Sequence, residues 1–127
     1  TQNIERITGS YLGGESNGDS REPSTSVDGR FVAFQSGASN LIPGDTNEQI
    51  DIFVYDRLTR ATERVNVSNS GEQARGYVES GRSISPSLSA NGRFVAFVSG
   101  ALNLVPGDTN FRDDIFVFDR LNRTIER

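Results

Sequence analysis

Two apolar runs, residues 30–34 (RFVAF) and 52–55 (IFVY), interrupt a polar background and recur in the second half of the chain. A strand with one solvated face alternates apolar and polar side chains, whereas an unbroken apolar run belongs to a strand covered on both faces. Residues 62–67 (TERVNV) do alternate and carry charge, as an exposed edge strand should. Residues 24–27 supply a further short strand, joined to the first apolar run through Asp28-Gly29. Asp-Gly, and the Asn91-Gly92 that replaces it later, suit two-residue type I′ hairpins, where both positions take positive φ. The exchange keeps the turn chemistry and discards the carboxylate, so Asp28 reads as structural. Each half of the chain is expected to form a four-stranded meander with buried middle strands.

The two halves are copies. Residues 20–64 align with 83–127 without a gap, and 30 of the 45 positions are identical. The shared segments are P-S-x-S, G-R-F-V-A-F-x-S-G-A, N-L-x-P-G-D-T-N, D-I-F-V-x-D-R-L and a closing E-R. A Gly/Ser-rich connector at 65–82 joins the units, and the leading piece, 1–19, contains NIERIT, which matches the closing ATERV. The organisation is therefore a spare outer strand with its connector (1–19), a first unit (20–64), a connector (65–82) and a second unit (83–127). Meanders stacked face to face around an axis cover both sides of the apolar strands. The expected fold is all-β, with two four-stranded antiparallel β-propeller blades. Propellers typically close with four to eight blades, so oligomerisation, or further blades of a larger propeller, must complete the ring.

The stretch from Pro23 to Val65 resembles the WD40-like propeller repeat of the TolB type. The resemblance lies in the P-x-x-S-x-D/N-G-R opening, the aromatic-flanked second strand, the D-h-F-V-x-D third strand and the T-x-R-V close. Both units carry the first three features, and the first unit carries the last. The resemblance implies four strands per blade, a ring usually of six or more blades, and a bacterial protein, often exported or envelope-associated. Since blades so alike can stack on one another, the expected partner is a second copy of this chain, with six blades from three chains favoured.

Composition narrows the chemistry. Cys, His, Met, Trp and Lys are absent, which excludes a disulfide, a thiolate nucleophile, a Cys/His zinc site, a Ser-His-Asp triad and a lysine Schiff base. With a net charge of −4 and no Lys among 13 basic residues, no nucleic-acid partner is expected. No 18-residue apolar run exists to cross a membrane as a helix.

The remaining candidate chemistry is acidic. Asp45, Asn47 and Asp51 follow D-x-N-x-x-x-D after a Pro-Gly bend, and Asp108, Asn110 and Asp114 repeat it. Closely spaced Asp and Asn oxygens can supply part of a Ca²⁺ shell. Against calcium, Gln49 and Arg112 occupy the fifth positions, and no acidic residue closes the loop. The same residues suit Asx turns, in which the side chain binds an amide two residues on, and Asp51 and Asp114 can pair with an Arg of the next blade. Asp56-Arg57 and Asp119-Arg120 read as a solvated rim, and Arg64 and Arg127 as edge-strand charges. Tyr77 and Phe111 are candidate exposed aromatic contacts.

Four functions follow. The favoured one is a non-catalytic scaffold or protein-interaction module that self-assembles into a ring. The alternative is a ligand-binding propeller, for carbohydrate or calcium-dependent, although sugar sites usually need aromatic platforms that are scarce here. Catalysis would need a carboxylate pair, and each repeated Asp already has a turn or pairing role. Recent amplification or deliberate construction from a repeat, with no evolved activity, also fits such similar blades.

Overall fold

The computed structural model describes residues 3–76, 81–108 and 112–127. Among the described residues, eight strands form two separate four-stranded antiparallel meanders. Blade 1 holds β1 (Ser20–Thr25), β2 (Phe31–Ser36), β3 (Asp51–Asp56) and β4 (Ala61–Arg64), in that spatial order. Blade 2 repeats it with β5 (Ser83–Leu88), β6 (Phe94–Ser99), β7 (Asp114–Asp119) and β8 (Thr124–Glu126). The expected fold class is therefore present, with neither blade closed into a ring. Among the described residues no helix is long and apolar enough to cross a membrane.

In blade 1 the side chains of the middle strands alternate between two largely buried faces, whereas in blade 2 only the front face is buried. Phe34 and Phe53 stack at 5.7 Å on the front of blade 1, and Phe97 and Phe116 at 5.9 Å on the front of blade 2. Ala33, Ile52 and Val54 point the other way and join Val95, Phe97, Phe116 and Phe118 in one core cluster between the blades. Val65, Val67 and Ala74 of the connector complete that cluster.

Three local expectations need correction. The first strand starts at Ser20 rather than Ser24, because a bulge between Arg21 and Ser24 absorbs Pro23, which has no N–H for the ladder. Glu22 takes φ 56° there, and Ser85 takes φ 57° at the equivalent bulge. The Asp28-Gly29 turn is not type I′, since Gly29 alone takes positive φ, at 73°. Its N–H donates to Ser26 O at 3.0 Å, as in a turn followed by a left-handed glycine. Asp28 stays structural, accepting from the Ser26 hydroxyl at 2.7 Å and the Arg30 N–H at 3.0 Å. Finally, the alternating 62–67 segment leaves the sheet after Arg64, and Val65, Asn66 and Val67 turn inward and are buried.

Residues 3–8 form no strand within the chain. They lie at the front of blade 1, where Ile7 packs against the Phe34–Phe53 cluster.

Candidate interaction surface and acidic clusters

The contact between the blades shows what a blade face requires. Phe31 at the rear of blade 1 lies under the Arg120 guanidinium of blade 2, 4.4 Å from ring centroid to Cζ. Arg120 donates to Glu63 of β4 at 2.5 Å and to the Gly92 carbonyl of its own blade at 2.6 Å. Arg123 adds a second bond to Glu63 at 2.7 Å. Backbone amides of β5 also reach across: Ser85 N–H, at the bulge, donates to Gln35 Oε1 at 2.9 Å, and Leu88 N–H to Ser24 Oγ at 3.1 Å. Arg120 is thus more than a solvated rim charge, for its side chain is only 16% exposed. Arg30 and Arg93 instead pair within their own blades, each binding Asp56 or Asp119 with both Nε and Nη2 at 2.8–2.9 Å. Those bonds hold the Asp56 and Asp119 carboxyls well below the usual carboxylate range.

Gly92 packs directly against Phe31 of blade 1. It takes φ +78°, and a Cβ there would lie 2.3 Å from Cδ2 of Phe31. Gly44 has a similar φ, +77°, with open space around it. Gly44→Ala should therefore cost about 1 kcal/mol from the backbone alone. Gly92→Ala should cost roughly twice that or more, because the ring must also move. Urea denaturation of the two variants measures the difference.

The rear face of blade 2 carries the residues that blade 1 buries. Ile52 is fully buried against blade 2, while its counterpart Ile115 is 61% exposed. Phe94 is 39% exposed, and Ala96, Val98 and Val117 around it are only partly covered. Glu126 stands on this face at the position of Glu63. Monomeric proteins rarely expose large contiguous apolar patches.

The acidic loops fold inward beside the closing strand. Asp45, Asn47 and Asp51 do come together, and a guanidinium joins them: Arg64 lies 3.2 Å from Asp45 and 3.8 Å from Asp51. Asn47 Nδ2 donates to Asp51 Oδ1 at 2.8 Å, and its own Oδ1 accepts the Gln49 N–H at 3.1 Å in an Asx turn. Asn66 Nδ2 also donates to Asp51 Oδ1, at 2.7 Å, and to Ser83 Oγ at 3.0 Å, tying the cluster to blade 2. In the second unit Arg127 approaches Asp108 at 3.2 Å and Asp114 at 3.7 Å. Asn110, Tyr77 and Phe111 lie outside the described residues.

The partner of Asp51 is thus Arg64 of its own blade rather than an Arg of the next one. Arg64 is correspondingly not an edge charge, its side chain being 10% exposed. Sequence reasoning missed this Arg and Asn66; the invariance of E-R between units was the available signal. Among the described residues, no three His, Cys, Asp or Glu side chains gather as a metal cage would. The donor set is two carboxylates and an Asn oxygen, with a cation already beside them.

Burial pushes the Asp51 carboxyl up to about 6, against the opposing Asn66 and Asn47 hydrogen bonds, and it raises Asp45 as well. The folded state then holds a proton that the unfolded chain, with its ordinary value of 3.8, releases. Between about pH 6 and 4 this group favours the folded state increasingly as pH falls, by on the order of 3 kcal/mol at the limit. Asp56 and Asp119 act in the opposite sense, their stabilisation being lost as pH falls through the ordinary carboxylate range and below it. Asp51→Asn should remove the gain between pH 6 and 4, as urea denaturation across that window would show.

No protein-family model and no curated protein matches the chain. Solved structures do. A putative TolB from Agrobacterium tumefaciens is similar at 18% identity, over 86% of this chain and 30% of that one, with a TM-score of 0.51. TolB from Acinetobacter baumannii matches at 20% identity over 87% of this chain and 32% of that one, with a TM-score of 0.28. The first likeness shows the fold: two stacked propeller blades. The chain spans about a third of the length of either structure.

Proposed function

We propose that this chain is a non-catalytic interaction module whose exposed rear face of blade 2 associates with another copy, closing a ring of six blades from three chains. The observation that carries the reading is the contrast between Ile52, fully buried, and Ile115, 61% exposed, at one position of the repeat. The internal blade contact is a template for what covers the free face. The reading without catalysis is supported by the carboxylates themselves, since Asp28, Asp56 and Asp119 are held by turns and Arg partners. The resemblance to TolB-type repeats supports a bacterial, exported or envelope-associated location. Electron microscopy of the purified chain tests the ring. Six-bladed closed particles are expected, whereas isolated two-blade particles or open filaments would overturn it.

A second reading, calcium at the acidic loops, has one observation in its favour. Asp45 Oδ2, Asp51 Oδ2 and both carboxylate oxygens of Asp108 are buried without a hydrogen-bond partner. The favoured reading makes Arg64 and Arg127 the resident cations. It expects the same thermal unfolding midpoint in calcium and after chelation. A midpoint that rises and saturates with calcium would replace it.

A further inference from the structure

The leading segment lies on blade 1 as the outer strand and connector of a preceding blade would. Residues 3–17 correspond to 61–75, and their contacts correspond too. Glu5 pairs with Arg57 as Glu63 pairs with Arg120. Gly9 bridges Glu15 as Val67 bridges Gln73. Ser10 N–H donates to Gly14 O at 3.1 Å, and Ser68 N–H to Glu72 O at 3.0 Å. Asn40 accepts from Asn17 N–H at 3.0 Å and donates to Glu15 O at 3.0 Å. Asn103 does the same for Arg75 N–H and Gln73 O, at 2.7 and 2.8 Å.

This correspondence creates a conflict in a stack of copies. With blade 2 of one copy against blade 1 of the next, β8 would bring Glu126 to Arg57. Glu5 of the second copy already holds that place. Two strands claim one position.

We infer that the leading strand takes it: residues 3–8 of one copy displace β8 and pair with β7 of a second copy. The inference rests on the self-association proposed above. β8 pairs with β7 through only three residues, whereas β3 and β4 pair through four. Carrying the β3–β4 register across sets Asn3, Ile4, Glu5 and Arg6 opposite Asp119, Phe118, Val117 and Phe116. Ile4, now 102% exposed, enters the site of Ile125, which is 5% exposed. Arg6 arrives beside Asp108, whose two buried oxygens lack hydrogen bonds. Arg127 serves that site with a side chain 39% exposed, against 10% for Arg64. Ile7 and Thr8 then follow in step with Val65 and Asn66, the buried residues that close over the blade 1 cluster. Exchange of an equivalent strand between identical chains needs no new type of contact.

The chain has no Cys, so introduced pairs report cleanly. In the full chain, Glu5→Cys with Val117→Cys should give disulfide-linked multimers on a non-reducing gel under mild oxidation. Val117→Cys with Glu126→Cys should give little product. A closed 117–126 bond with no interchain 5–117 product, in particles still larger than one chain, overturns the exchange and leaves self-association standing. A wild-type chain that stays single overturns both. Should the variants fold poorly, hydrogen exchange of the wild-type assembly decides: slow amides at 4–6 and fast ones at 124–126 are expected, and the reverse contradicts the exchange.

Discussion

Ile115→Arg should leave the two-blade chain folded and weaken its self-association at least about a hundredfold. The side chain is 61% exposed in the single chain, so its own blade loses little. In the proposed stack of copies the position would take the environment of Ile52, which is fully buried. Burying an Ile is worth about 1.5–3 kcal/mol. An Arg in its place forfeits that and adds an unpaired charge to a dry contact. Each 1.4 kcal/mol is about tenfold in affinity, which sets the expected loss. Sedimentation velocity of the variant measures the loss, and circular dichroism checks the fold. The paired control is Ile52→Arg, which should unfold the chain itself. Equal behaviour of the two variants would mean that the rear face of blade 2 is not a contact.

Arg64→Met should destabilise the folded chain by about 3–5 kcal/mol near neutral pH. Removing the guanidinium leaves Asp45 and Asp51 facing each other, with side chains 3% and 0% exposed. Neither charge then has a cation. Losing Arg64 raises both carboxyls further, so the folded state binds protons that the unfolded chain releases. The variant should therefore recover stability as pH falls from 7 toward about 4, and the deficit should be largest at neutral pH. Urea denaturation at both ends of that range reads the effect. Arg127→Met should be milder, since that side chain is 39% exposed and water shares the screening. A calcium-filled site would behave differently, with the Arg64 variant gaining stability in calcium.

Much of the architecture was legible because a repeat reports the same constraint twice. Unbroken apolar runs identified the middle strands, covered on both faces in blade 1 and on the front face in blade 2, and the Asp28/Asn91 exchange separated turn chemistry from charge chemistry. The kinship of NIERIT to ATERV was visible too, and the leading segment repeats contacts of residues 61–75, although residues 3–8 form no strand within the chain. Three things escaped. Periodicity cannot see that Arg64 folds toward the acidic loop, because an alternating strand looks the same whether its Arg meets water or two carboxylates. Val65 and Val67 alternate as edge residues do, yet the chain leaves the ladder after Arg64 and buries both. The contact between Gly92 and Phe31 across the blades was also invisible. Asn-Gly reads as a turn, and only the stacked geometry shows Phe31 occupying the space beside Gly92.

The contacts that join blade 1 to blade 2 use residues present in both units or with close counterparts. Phe31, Arg120 and Gly92 correspond to Phe94, Arg57 and Gly29, and the part of Glu63 falls to Glu5 of the leading strand. A second copy therefore brings Arg57, Gly29 and its own Glu5 to Phe94 on the rear face of blade 2. The contact is head-to-tail, and such contacts give rings when the rotation closes and filaments when it does not.

Solution mass by light scattering after size exclusion, taken over a range of concentrations, asks whether the free faces are used. Particles containing three chains of 13.9 kDa are the expected result. A single chain of that mass at every concentration would contradict it, leaving Ile115 and Phe94 as surface that no copy covers.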